Sequence, residues 1–444
     1  MTPSSPGPAE QPATGSLIRS VGPWGLAAMI LNGLIGAAIF GLPATVAQAA
    51  GIWAPFVILM VAAAMLTVLL VMARLAALFD GTGGPIQYVE AAFGRPVAFQ
   101  IGWMQLLSTT AAAAANVNLL ADYALRGWPA AGSSPWAHSG IVLAALSLIL
   151  IVTLNRTSGI ARTLAVLAVI KLVPLVLLVV LAVPMMVAEI GPALASARVP
   201  APSSLTQAAL LCAYALVGFE AALTVAGEAR DPKRDFPRAL VMVFVTVALL
   251  YALLIWGYVV TTPATGVPDK APLVSMAVAL IGGIGGLILL ATATVSIFAN
   301  VLNNMLFLSR RLVAMEALGG LPALFGRIRA VDAVPRNAVI SIMAVVVALS
   351  LSGGFVALAV LSVASRLIVY LACIAALPVI ERRAGQSPSI SGSAVIVAAA
   401  ITCTGLIAGS EAASWRAMAG AALVGAVLYV GNRLWRVRAG VPVR

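Results

Sequence analysis

Long apolar stretches restrict the fold of this chain more than any other feature. A helix needs about twenty apolar residues to cross a bilayer, and twelve stretches approach or exceed that length. They cover residues 24–50, 53–78, 97–125, 139–154, 160–186, 206–228, 238–261, 276–308, 337–353, 355–380, 392–409 and 415–434. Lipid accepts only helices or closed barrels, because every backbone polar group needs an internal partner. The pattern predicts an all-α polytopic membrane protein with twelve transmembrane helices, numbered here as spans 1 to 12.

The composition supports a membrane protein. Hydrophobic residues make up 62% of the chain and charged residues only 9%. A soluble domain of this length needs far more charge on its surface. The net charge of +12 would suit a nucleic-acid partner, but the positions of the charges favour another explanation.

The basic residues are divided unequally between the two ends of the spans. With a cytoplasmic N-terminus, twenty Lys and Arg residues fall on the cytoplasmic side, among them Arg310 and Arg311. Only four fall outside: Arg126, Arg198, Lys270 and Arg416. The positive-inside rule selects this orientation. We therefore expect a multi-pass protein of the cytoplasmic membrane with both termini in the cytoplasm and no nucleic-acid partner.

Two spans contain helix breakers near their middle. Span 1 includes "LNGLIGAAIFGLP", in which Gly33, Gly36 and Gly41 precede Pro43, and span 6 has Gly218 at mid-membrane. A break in lipid is tolerated only where protein or a water-filled cavity covers it. Interrupted helices five spans apart indicate a five-plus-five inverted repeat with a site at the bilayer midplane. Spans 11 and 12 fall outside this repeat.

The two breaks predict the chemistry of that site. A broken helix exposes free N–H groups at the start of its second half and free C=O groups at the end of its first. The N–H end attracts an anion and the C=O end a cation. Two neighbouring breaks can therefore hold both ends of a zwitterion, and an α-amino acid fits that description.

Several motifs resemble those of one family. Span 1 carries Gly36-Ala37-Ala38-Ile39-Phe40, and span 6 continues as "GFEAALTVAGEARDPKRDFPRAL". "GGPIQYVEAAFG" is similar to a first cytoplasmic loop, and "SRRLVAMEALGGLP" to the segment after span 8. Together they resemble the amino acid–polyamine–organocation (APC) superfamily of permeases, which implies the LeuT-like fold for spans 1 to 10. Ala38 departs from the family's glycine, and its methyl group would narrow the seat for a carboxylate.

The resemblance also implies a domain organisation. Residues 1–20 are expected to form a disordered cytoplasmic tail and residues 21–444 a single transporter domain. Within that domain, residues 21–190 and 203–385 would be the two five-helix repeats, and residues 390–436 the last two spans.

The candidate substrate-binding residues follow from the breaks. Backbone N–H groups of Ile35, Gly36, Ala37 and Ala38 would hold the carboxylate, although small residues also serve close helix packing. Carbonyls around the span 6 break would take the amino group, and the candidates there are Tyr214, Ala215, Leu216, Val217 and Gly218. By resemblance Tyr214 would cap the ligand; the alternative is a core aromatic. Asn304 shares a helix face with Asn300 and is a weaker candidate; Asn116 and Asn118 are weaker still.

Three charged residues lie near the middle of their spans: Lys171, Glu220 and Arg366. By resemblance, the Lys171 ammonium would take the place of a sodium ion, bridge carbonyls of spans 1 and 8, and exchange its proton during transport; alternatively it is a structural cation. Glu220 would relay a proton, face a cationic substrate, or pair with Arg366 or Lys171. Arg366 would pair with Glu220 or meet an acidic group of the substrate.

These patterns predict a secondary transporter of amino acids, sodium-independent, working by proton symport or exchange. A polyamine carrier is the main alternative, and a non-transporting amino acid sensor a lesser one. One histidine and three scattered cysteines give no catalytic or metal-binding pattern, so we expect no enzyme activity, cofactor or metal. Because Ala38 is small and one buried acid accompanies two buried bases, the sequence favours a small or cationic amino acid.

Overall fold

The computed structural model describes most of the apolar part of the chain. The described residues are 27, 30–31, 34–79, 84–128, 130, 134–155, 171–195, 197–220, 235–262, 269–326, 335–385 and 389–438. The expected tail at 1–20, the first part of span 5 and the second part of span 6 lie outside them. Every regular element within these ranges is helical.

Thirteen α-helices are numbered here in chain order. They are α1 (Ala38–Ala50), α2 (Ala54–Leu78), α3 (Gly84–Phe93), α4 (Arg95–Gly127), α5 (Ala137–Leu154), α6 (Leu172–Ala195), α7 (Pro202–Leu216), α8 (Asp235–Thr261), α9 (Pro272–Ala317), α10 (Arg336–Ser352), α11 (Phe355–Arg383), α12 (Ile390–Ala408) and α13 (Ala412–Arg438). A single 3₁₀ turn, Gly51–Trp53, joins α1 to α2. Eight stretches of the described chain are long and apolar enough to cross a membrane, with α1 and α2 forming one of them.

Local sequence signals explain several helix starts. Proline occupies the first turn of α2, α4, α7 and α9, where its missing N–H and fixed φ cost nothing. Ser389 caps α12, because its hydroxyl accepts a hydrogen bond from the Gly392 N–H at 3.1 Å.

Several helices extend beyond the predicted spans, most of all at the ends of α6 and α9. Helix α6 continues to Ala195 and α9 to Ala317, whereas the apolar windows end at residues 186 and 308. Residues 187–195 and 309–317 were expected in connections. An apolar window stops at the first charges, but a helix continues past the membrane boundary as long as its backbone bonds are favourable. Helix α7 begins at Pro202 instead of residue 206.

Helix α4 lies at the centre of the molecule and packs against α9, α10 and α11. Helix α1 packs against α7, and α8 packs against α2 and α6. Helix α11 is mostly buried, whereas α12 and α13 expose apolar side chains such as Val397, Leu423 and Val427. Exposed apolar faces of this kind suit contact with lipid. Helix α4 holds buried polar residues such as Ser108 and Asn116, and α11 holds the buried Arg366.

Candidate functional site

The break in span 1 lies at residues 35–37. Leu34 is helical, Ile35, Gly36 and Ala37 are not, and α1 begins at Ala38. The carbonyls freed by the break are occupied by side chains of other elements. The Tyr251 hydroxyl of α8 donates to the Leu34 oxygen at 3.3 Å, and the Lys171 ammonium donates to the Ile35 oxygen. Lys171 therefore contacts the break that the resemblance assigned to it.

The start of α1 leaves backbone donors beside the break. The first N–H groups of a helix have no intrahelical acceptor, and Ala37 at the N-cap supplies no side-chain acceptor. The Gly36 N–H bonds to the Leu34 oxygen at 2.9 Å. The positive end of the α1 dipole consequently faces the break, where it would favour a carboxylate.

The break in span 6 has an internal carboxylate at its N–H end. Helix α7 ends at Leu216, Val217 is extended, and Gly218 has a φ of 111°, a left-handed conformation that side chains other than glycine rarely adopt. The Gly218 N–H donates to the Glu220 carboxylate at 3.0 Å. An internal carboxylate thus already occupies the N–H end of this break. Ala215 and Val217 are buried beside it.

A chain of polar side chains lies next to the first break. The Tyr214 hydroxyl donates to Asn116 at 2.9 Å, and the Asn116 amide donates to Asn300 at 2.8 Å. The Asn304 amide donates to the same Asn300 oxygen at 3.2 Å. A methyl group on Gly36 would lie 3.4 Å from the Asn300 side-chain nitrogen. Three helices therefore bring their polar groups to the break in a fourth.

Asn118 does not join this network. Its amide donates to the Ala114 oxygen at 2.9 Å and to the Ser350 oxygen at 3.1 Å. It binds α4 to the end of α10, which is a structural role.

Glu220 and Arg366 form a buried ion pair. Arg366 Nη1 lies 2.8 Å from Glu220 Oε1, and the Tyr370 hydroxyl donates to Glu220 Oε2 at 2.7 Å. Arg366 Nε donates to the Ser108 hydroxyl at 2.9 Å. Of the alternatives left open by the sequence, the structure has Glu220 with Arg366 and not with Lys171. This pairing takes away the reason to expect a cationic substrate, because the acid is no longer available to one.

Arg311 also interacts electrostatically with Glu220 and Arg366, and the sequence did not predict this. It was counted among the cytoplasmic charges, but its Nη1 donates to the Thr109 hydroxyl at 2.8 Å and to the Gln105 oxygen at 3.2 Å. Spacing along α9 was the available signal. Asn300, Asn304 and Arg311 follow an i, i+4, i+11 pattern, which puts them on one helix face.

A cavity of about 590 Å³ lies at the other end of the bundle. It is lined by Gly41, Asn118 and Phe355, with Asp122 and Lys270 among the charged residues at its wall. The Phe355 ring meets the Tyr214 ring edge to face, with centroids 6.2 Å apart. Phe355 therefore stands between this cavity and the polar network at the break.

Comparison with solved structures concerns the fold of the chain. The fold is similar to that of the Eremococcus coleocola manganese transporter in complex with an aromatic bis-isothiourea substituted compound. The TM-score is 0.60, and the sequences are 13% identical, with 93% of this chain and 94% of that one covered. A mutant of the same transporter gives 0.59 at 14% identity over 96% and 97% of the two chains. This chain therefore shares its overall fold with that transporter.

The family follows from the sequence. The family described as amino acid permease matches residues 21–429, so the chain belongs to that family, and the resemblance to APC permeases is confirmed. The L-methionine/branched-chain amino acid exporter YjeH of *Escherichia coli* (strain K12) is 27% identical over 52% of each chain. The aspartate-proton symporter of *Bacillus subtilis* (strain 168) is 25% identical over 54% of this chain and 47% of its own. Each match spans about half the length of the relative.

The likeness to a manganese transporter concerns the fold alone. Within the ranges that the structure describes, no three His, Cys, Asp or Glu side chains are grouped to hold a metal ion. Cys212, Cys373 and Cys403 are free and buried.

Proposed function

We propose that this permease is a secondary active transporter that carries amino acids across the cytoplasmic membrane without sodium, by proton symport or by exchange. Alternating access would take place around a midplane site, within twelve spans arranged as a five-plus-five repeat. The observation that carries the proposal is the meeting of the span 1 break, Lys171 and the Tyr214–Asn116–Asn300–Asn304 network at one place.

The proposed ligand seat has two ends. The carboxylate would lie on the N–H groups at the start of α1, beside Ile35, Gly36, Ala37 and Ala38. The ammonium group would lie on carbonyls at the end of α7, where the last residues of a helix leave their oxygens without intrahelical donors. Tyr214, Ala215, Val217 and Gly218 border that end, and Asn304 would contact the ligand from α9.

The names of the two relatives support amino acids as the substrate class. The amino acids in the two names differ in side-chain charge, since methionine is neutral and aspartate is acidic. A polyamine would need a free buried acid at the site, and Glu220 is held by Arg366, Tyr370 and the Gly218 N–H. We therefore favour amino acid transport over polyamine transport.

Lys171 supports independence from sodium. Its ammonium donates a hydrogen bond to the Ile35 carbonyl of the break. A sodium ion beside this ammonium would be repelled in a medium of low dielectric. A buried ammonium that donates to a freed carbonyl also links the proton to the shape of the site. A proton and a substrate that bias the same two-state element are coupled thermodynamically.

The first experiment measures uptake in proteoliposomes. The labelled amino acids are those that raise the melting temperature of the purified protein. We expect their uptake with choline in place of sodium to equal their uptake with sodium. An inward proton gradient, or unlabelled amino acid inside, should stimulate uptake. Loss of uptake on removal of sodium would show that the assignment of Lys171 is wrong.

Substitution of Lys171 tests the proton link. We expect Lys171→Met to abolish the response to the proton gradient, while retaining most of the side-chain volume. Lys270→Met, which removes an exposed lysine, is the matched control and should behave like the wild type. If Lys171→Met transports as well as the wild type with the same pH response, Lys171 is a structural cation only.

A further inference from the structure

Two hydrogen-bonded pairs of side chains, called here the first and second rungs, connect the same faces of α4 and α9. Asn116 bonds to Asn300 in the first rung, and Thr109 bonds to Arg311 in the second. Thr109 lies seven residues before Asn116, or about 10 Å along the α4 axis, and Arg311 lies eleven residues after Asn300, or about 16 Å along the α9 axis. The second rung therefore continues the polar face of the proposed site toward one end of the bundle.

The side chain of Arg311 is directed back toward the first rung. Side chains on a helix lean toward its N-terminus and cover the preceding turn. Arg311 is partly buried, and Nη1 makes both of its hydrogen bonds to described residues. The remaining N–H donors of the guanidinium have no acceptor among the described residues.

The cluster around Arg311 has more positive than negative charge. Arg311 and Arg366 are close enough to interact electrostatically, and both interact with Glu220. Glu220 is the one carboxylate that the described residues supply to these two guanidiniums. Arg366 holds it directly at 2.8 Å, whereas Arg311 bonds only to a hydroxyl and a carbonyl. A second anion beside Arg311 would balance the charge.

We propose that Arg311 is the residue that determines substrate charge: it receives the side-chain carboxylate of an acidic amino acid. This inference rests on the proposed amino acid transport and adds the substrate class. The α-carboxylate and ammonium groups would lie at the two breaks, and the side chain would extend along the Asn304 face of α9. Cationic amino acids and polyamines would meet two guanidiniums and bind poorly.

Isosteric pairs of amino acids give the sharpest test. Binding of L-glutamate against L-glutamine, and of L-aspartate against L-asparagine, is measured by competition with a bound labelled amino acid on the purified full chain. The pairs differ in charge and hardly in size. We expect the wild type to prefer each acid by about tenfold or more, as for a charge-assisted bidentate hydrogen bond.

Three variants test the residue. Arg311→Gln should remove the preference for the acids and leave binding of the neutral amides within about twofold, since it removes only the carboxylate partner. Arg311→Lys should retain part of the preference through its charge. Arg310→Gln, an exposed neighbour of the same type, should keep the wild-type preference. If Arg311→Gln does not fold, the wild-type comparison and Arg311→Lys remain decisive.

The outcomes separate this inference from the proposed function. Binding and uptake of amino acids without preference for the acids would overturn the inference and leave amino acid transport intact. A folded protein that binds no amino acid at all would overturn the proposed function itself. Each measurement is repeated with gluconate in place of chloride. If binding of the neutral amides requires chloride in the wild type but not in Arg311→Gln, the anion is a halide and the inference is wrong.

Discussion

Gly218 and Gly36, the glycines at the two breaks, differ in backbone conformation and in surroundings. Gly218 has a φ of 111°, so its backbone conformation itself selects glycine. Gly36 has no such conformation, but a Cβ there would approach the Asn300 side chain to 3.4 Å, which is an ordinary contact. Backbone strain therefore gives no reason for glycine at position 36, and under the proposed function a glycine there leaves space for the ligand.

This difference predicts a graded response at Gly36. Gly36→Ala should keep uptake within about twofold of the wild type, because one methyl group fits, whereas Gly36→Leu should lower uptake by about 100-fold through displacement of the ligand. Uptake in proteoliposomes is compared after melting curves show that both variants are folded. Equal uptake by a folded Gly36→Leu variant would exclude the site at this break.

A buried ion pair connects the break in span 6 to α11. Glu220 follows the break after α7 and Arg366 lies in α11, and both are less than 10% exposed. Removal of one partner of a buried pair leaves an uncompensated charge, which is costlier than removal of both. The pair thus links α11 to Glu220, directly after the break in span 6.

A double-mutant cycle measures this coupling. Glu220→Met and Arg366→Met should each lower the free energy of unfolding by about 3–5 kcal/mol. The double variant should lose less than the sum, with a coupling energy of about 1–3 kcal/mol. Unfolding is followed in detergent with increasing denaturant.

The exposed pair of Arg95 and Glu90 at 3.3 Å is the matched control for this cycle. The same substitutions there should show a coupling of about 1 kcal/mol or less. Additive losses at Glu220 and Arg366 would mean that the two side chains do not support each other.

The whole molecule is asymmetric along the bundle. The 590 Å³ cavity opens beside the end of α10 and the start of α11, whereas the Arg311 cluster lies two turns beyond the polar network in the other direction. Phe355 separates the cavity from Tyr214. The distribution of Lys and Arg predicts that the cavity faces outward and that the Arg311 cluster lies on the cytoplasmic side.

Labelling of single cysteines tests this orientation. Ser352→Cys lies at the cavity and Ala384→Cys just after the far end of α11, and both positions are exposed. A membrane-impermeant maleimide applied to intact cells should label the first and spare the second until the cells are lysed. The three native cysteines are buried, so background labelling should be low. The reverse pattern would invert the predicted topology.

Much of the fold could be predicted from the sequence by itself. Apolar length, helix breakers and the positions of proline depend on local chemistry: lipid demands satisfied backbone groups, and glycine and proline weaken a helix wherever they occur. The helical architecture, the class of protein and the break near Gly36 followed from these signals. The same reasoning placed helix ends less well, as α6 and α9 show, because apolar windows report the membrane and not the helix.

Only the tertiary structure decided which buried groups meet. The sequence offered both Lys171 and Arg366 as partners for Glu220, and the packing of α11 against the span 6 break selects Arg366. Asn116 was only a weak candidate and Arg311 was counted as a cytoplasmic charge, and the packing of α4 against α9 brings both into hydrogen-bonded pairs. Contacts between distant residues depend on the angle and register of packed helices, and a long arginine side chain reaches a full turn or more from its own Cα. No local pattern encodes those distances.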